Sequence, residues 1–220
     1  MLYPLLILSE PEEVFKRVAV NSTWLAPLAY CTGGFFVITW LGGCWANLRE
    51  GLRWWSLLGP AIGSIFFIGT ASFASTAMLY ASCLVFRCRQ SNWPAYRMLF
   101  SLNIHCALIL MLGELINFLL VHTNLIQDFN FPFPNRFPLG LDLLILGVKE
   151  PNIYLAVLLH STGAFILWYF VVLTRGLKHL TGSSLIRAAA MAAILWLAGV
   201  GAVIGIVYSA GGGTIFRVTM

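Results

Sequence analysis

Charged residues are scarce in this chain. Asp, Glu, Lys and Arg make up 10% of its 220 residues, against about 25% in a soluble domain. From 56 to 86 there is none at all. An uncharged apolar run of about 18 residues or more reads as a membrane-spanning helix. Comparable runs cover 24–45, 98–121, 153–174 and 185–208. With 60% hydrophobic residues and a mean hydropathy of +0.86, the composition excludes a soluble globular domain.

Catalytic signatures are missing too. There is no H-E-x-x-H, no G-x-S-x-G, no Walker A run, no dinucleotide fingerprint and no paired-carboxylate site. No catalytic residue, metal site or cofactor is expected, and the chain does not read as an enzyme. Cys31, Cys44, Cys83, Cys88 and Cys106 form no C-x-x-C pair, and free cysteine packs as a small apolar residue. The opening MLYPLLIL has no basic flank and no small-residue cleavage site after it, so a cleavable signal is not expected. The net charge of +5 comes from basic residues dispersed at span ends. That is the pattern of topology signals and anionic-lipid contacts, not of nucleic-acid binding.

What is present predicts an all-α fold: a polytopic membrane bundle of about five helices, crossing ~30 Å of hydrocarbon. Residues 1–23 are expected as a cytoplasmic segment and 24–220 as one transmembrane domain, with spans near 24–45, 57–86, 98–121, 153–174 and 185–208. Ser9 and Glu12 have capping-box spacing, and Val14, Phe15 and Val18 share a helical face. A short interfacial helix on the bilayer surface is predicted there. The stretch 123–152 carries Pro132, Pro134 and Pro138, which forbid a regular helix. It is read as an irregular surface segment followed by a short apolar turn at 139–146.

Basic residues orient the bundle. With five spans, Lys16, Arg17, Arg87, Arg89, Arg97, Arg175, Lys178 and Arg187 fall on one side. Arg49, Arg53, Arg136, Lys149 and Arg217 fall on the other. The excess places the N-terminus in the cytoplasm and the C-terminus opposite.

Polar residues within the spans are the candidate functional groups. Glu114 is the acidic residue predicted deep in a span, and such a group faces protein or water, not lipid. At ~100° per residue, Asn103, Glu114 and Asn117 fall on one face. They suit a hydrogen-bonded core group or a proton or ion relay. His160 lies mid-span and is read as a packing residue, with Glu114 as a possible partner; ligation of a cofactor is the lesser alternative. Small residues suit close helix approach. Gly59 and Gly63 mark the second span, and Ala198, Gly201, Ala202 and Gly205 the last. The last stripe is expected to pack within the chain against the second span near 69–75, with homodimerisation as the alternative.

Three segments resemble the YIP family, the Ypt/Rab-interacting membrane proteins, in its prokaryotic branch. They are SEPEEVFKRVAVNSTWLAPL, LLGPAIGSIFFIG and YLAVLLHSTGAFILWYFVVLTRGLKHLTGSSLIRAAAMAAILWL. The resemblance implies a five-helix bundle with a cytoplasmic N-terminus, in a prokaryotic inner membrane. Eukaryotic relatives act in vesicle trafficking and bind small GTPases. This chain has only about 23 residues before its first span, so small-GTPase binding is not carried over. The expected role is a scaffold or accessory subunit whose partners are the lipid bilayer and other membrane proteins. A transporter or channel subunit using Glu114 is the alternative. A cofactor-bearing subunit using His160 or His105 is the weaker one.

Overall fold

A computed structural model describes residues 3–50, 58–86, 96–122, 140–145, 148 and 152–209. A 3-10 turn at Tyr3–Leu8 leads into α1 (Pro11–Val20), α2 (Leu25–Glu50), α3 (Leu58–Val85) and α4 (Tyr96–His122). A second 3-10 turn, Leu141–Ile145, precedes α5 (Ile153–His160), α6 (Ala164–Thr181) and α7 (Leu185–Ser209). The basic loop around Arg87 and Arg89 and the aromatic segment from Phe129 to Phe137 lie outside the described residues, as does Cys88.

The helix α4 is the centre of the bundle. It packs against α2, α3 and α6, and also against α1 and the first turn. Leu99, Leu102, Ile104, Cys106, Leu108 and Ile109 are all buried. These positions run round the first half of the helix, the pattern of a segment enclosed by protein, while Leu115 and Leu119 further along are exposed. By contrast α3 buries one stripe, Thr76, Leu79, Ser82 and Cys83, at three- and four-residue spacing. Its Phe66 and Phe67 point outward, 71% and 68% exposed, as suits a helix with lipid on one side.

Three helices among the described residues are long and apolar enough to cross a membrane: Ile65–Val85, Tyr96–Val121 and Leu185–Ser209. The pair α5 and α6 passes the same test jointly, and counts as a fourth where the bent pair is taken as one broken span. The 26-residue α2 contributes a shorter apolar stretch, Leu25–Leu41. Cys31, Cys83 and Cys106 are buried free thiols, as small apolar fillers should be.

Several expectations need correction. The predicted fourth span, 153–174, is not one helix. It breaks after His160, and α6 leaves at a bend of 52° and continues to Thr181. The capping box at Ser9 does not form. Glu10 is the N-cap of α1 and makes no side-chain cap bond. Instead the Ser9 and Glu10 amides donate to the Leu6 carbonyl of the preceding turn, and Pro11, with no amide hydrogen to place, starts the helix.

The apolar face of α1 also has a different use from the one predicted. Val14, Phe15 and Val18 are at most 2% exposed, because α1 docks on α6, α4 and the first turn. Gly176 on α6 permits the approach: a Cβ there would collide with Leu102 Cδ1 and lie 3.0 Å from Phe15 Cε1. The residues between α1 and α2 are held by α4. Ser101 Oγ donates to the Thr23 carbonyl at 2.8 Å and Arg97 Nε to the Ser22 carbonyl at 3.3 Å. Trp24 packs edge-on against Phe100, with ring centres 5.5 Å apart.

Candidate functional site

Two polar clusters lie inside the bundle. The first is centred on Asn103 of α4, which is 4% exposed. Its Nδ2 donates to Ser75 Oγ at 2.7 Å and to Thr76 Oγ1 at 3.2 Å, both on α3. Its Oδ1 accepts from the Tyr169 hydroxyl of α6 at 2.9 Å. Ser75 and Thr76 in turn donate to the Ser72 carbonyl, at 3.1 and 2.7 Å. Each hydroxyl has one proton, so with that proton on Ser72 both can only accept from Asn103. Donors therefore run in one direction, from Tyr169 through Asn103 to the Ser72 carbonyl. Three helices are joined by one amide.

The second cluster sits at the break between α5 and α6. Asp142, fully buried, belongs to the 3-10 turn that packs on α5. Its Oδ2 lies 2.7 Å from His160 Nδ1, and its Oδ1 accepts from the Gly140 amide at 2.8 Å. Gly140 touches the break itself: a Cβ there would lie 2.6 Å from Gly163 Cα and 2.8 Å from Gly163 N. Backbone meets backbone, and no other residue fits.

An interrupted helix leaves amides and carbonyls without their helical partners, which is costly in lipid unless protein satisfies them. Here protein does. Trp196 Nε1 of α7 donates to the Ser161 carbonyl at 2.9 Å. The Gly163 amide donates to the His160 carbonyl at 3.1 Å. Ser161 Oγ and Thr162 Oγ1 bond back to the carbonyls of Val157 and Leu159. Asn152 caps the start of α5, its Oδ1 accepting from the Tyr154 and Leu155 amides.

The register of α4 on α6 locates the remaining candidates. Leu102 meets Gly176, Asn103 bonds Tyr169, and Gly113 packs on Phe165, whose Cγ would lie 2.8 Å from a Cβ at Gly113. The two helices are therefore antiparallel, and half-buried Glu114 sits level with the first turn of α6, beside the break. Asn117, also half-buried, lies one turn further on. Asn103 is eleven residues before Glu114, or ~16 Å along the axis. Asn103 and Glu114 therefore do not meet at one site. The bond from His160 goes to Asp142, a residue that sequence reasoning did not single out, 18 positions away.

The small-residue stripes fall elsewhere than expected. Gly201, Ala202 and Gly205 are exposed, Ala198 is half-buried, and among the described residues nothing lies within 4 Å of a Cβ at Gly201 or Gly205. The space beside Gly59, Gly63 and Gly69 is equally open. The last stripe does not pack on the second span near 69–75. Instead α7 meets α3 through its N-terminal half, where Ala188, Met191 and Ala192 are buried and Met191 Sδ lies 3.6 Å from Cys83 Sγ.

On α1, Lys16 Nζ donates to Glu13 Oε1 at 2.9 Å in an exposed pair. That bond holds the Glu13 carboxyl below its ordinary range and lifts the Lys16 ammonium above its own. Among the described residues no cluster of three His, Cys, Asp or Glu is arranged to hold a metal.

A bundle of long apolar helices, with Asn103 and Asp142 turned inward and hydrogen-bonded there, defines an integral membrane protein. The family model described as the Yip1 domain matches residues 5–206, from the first 3-10 turn almost to the end of α7, and the chain belongs to that family. No curated protein and no solved structure matches it.

Proposed function

We propose that this Yip1-domain protein works without catalysis, as a scaffold or accessory subunit that holds other membrane proteins. The carrying observation is the division of its polar and apolar surface. Asn103 has both amide protons and its carbonyl oxygen engaged across three helices. The outward faces of α3 and α7 are rows of apolar and small side chains, with Ile186 82% and Ile206 62% exposed. Such faces suit lipid and neighbouring helices, where small residues and dispersion govern association. In this reading α2 is the fifth crossing, and the basic excess places the N-terminus in the cytoplasm. Photocrosslinking in intact membranes from positions Phe67 and Ile206 tests it. Discrete protein adducts are expected from at least one position, and lipid adducts alone from both would contradict the role.

A second reading is favoured by one feature. Buried Asp142 paired to His160 at a broken helix, with Glu114 level with the break, resembles the discontinuous helices at which transporters place coupling groups. On that reading Asp142, His160 and Glu114 are the coupling groups. Against it stands the bonding around the pair, which fits a group that holds the break closed.

A further inference from the structure

A groove of about 590 Å³ opens between α1 and the end of α6. Arg175, Lys178 and His179 share one face of α6 by their three- and four-residue spacing, and all three are exposed. Lys16 faces them from α1. Lys16 is held by Glu13, whereas Arg175 and Lys178 make no ion pair among the described residues. Glu12 is the one acid in the lining among the described residues. The floor is apolar: Phe15 is 2% exposed, and Leu185 at the start of α7 closes one end. The groove lies where α6 ends and the apolar helix α7 begins, the level at which charged residues meet a bilayer surface.

We propose that this groove binds the phosphate group of an anionic phospholipid. Arg175 grips phosphate oxygens with its planar fork, and Lys178 adds a mobile ammonium. Phe15 and Leu185 lie under the glycerol and the start of the acyl chains. Two cations with no ion pair among the described residues, above an apolar floor, match a ligand that is charged at one end and greasy at the other. Free phosphate has no use for the floor. Glu12 opposes the ligand and limits its affinity.

The test is binding of short-chain phosphatidylglycerol to the full chain in neutral detergent, with phosphatidylcholine and inorganic phosphate as separate arms. The paired substitution Arg175→Gln and Lys178→Gln should weaken phosphatidylglycerol about 10- to 30-fold. Arg187→Gln, exposed on α7 outside the groove, should change it by less than about twofold. Glu12→Gln should tighten binding, a gain that a folding defect cannot produce. Equal losses from Arg187→Gln and the paired substitution would overturn the site in favour of diffuse surface charge. So would equal affinity for phosphatidylcholine, or no gain from Glu12→Gln. Inorganic phosphate binding as tightly as phosphatidylglycerol would overturn the lipid as its source.

Discussion

Asp142 and His160 form a 2.7 Å contact that ties the turn before α5 to the end of α5. The carboxylate is fully buried, and its second oxygen takes the Gly140 amide. One side chain thus fixes the turn and the histidine beside the break. Asp142→Ala should take the acceptor from the Gly140 amide and from His160 Nδ1, at a cost of about 1–3 kcal/mol. Asp142→Asn keeps a carbonyl oxygen and should cost less. Thermal unfolding of the two variants in detergent checks this. Equal melting temperatures for both and for the parent would mean that the contact carries no stability.

The Gly140 position itself is a sharper probe. Its Cβ would collide with the Gly163 backbone at 2.6 Å, and backbone does not swing aside as a side chain does. Gly140→Ala should destabilise by about 1–3 kcal/mol through overpacking. Gly201→Leu projects into open space and should leave the melting temperature unchanged. Measured side by side, the pair fails as a prediction if Gly201→Leu proves the more damaging.

Asn103 should be worth about 1–2 kcal/mol, the scale of hydrogen bonds between membrane helices. Asn103→Leu strands the Tyr169 hydroxyl and removes the donor to α3. Adding Tyr169→Phe to it should cost little more, because one network is lost only once. A double-mutant cycle in thermal unfolding reads this. Full additivity would show that the two residues act apart.

Orientation has its own test. A cysteine placed at Ser184 in the loop between α6 and α7, on a background without native cysteines, should resist labelling from outside intact cells. It should react once the membrane is opened. Labelling from outside would invert the topology drawn from the basic residues.

How much of this was legible in the sequence differs by level. The apolar runs carried the helices, because a run without charge has few other solutions in lipid. The break in the fourth span was not legible. His160, Ser161, Thr162 and Gly163 are too few to lower the hydropathy of the run around them, and the partners that stabilise the break, Gly140, Asp142 and Trp196, lie elsewhere in the chain. Asp142 went unnoticed for the same reason, being a single acid in a segment too short to span. The amphipathic face of α1 was visible, but a stripe of Val14, Phe15 and Val18 reads alike whether lipid or α6 covers it. Spacing likewise revealed the small-residue stripe of α7 and said nothing of what lies against it. Asn103 and Tyr169 are 66 positions apart, and periodicity within α4 does not say which helix answers it.

In the proposed role the buried polar groups hold this bundle together and do not move protons through it. Proton flux into sealed liposomes containing the purified protein tests that claim most directly, under an imposed pH gradient and with a membrane potential. The flux should equal that of empty liposomes, unchanged by Glu114→Gln or Asp142→Asn. A flux above that background, abolished by either substitution in protein that remains folded, would contradict it.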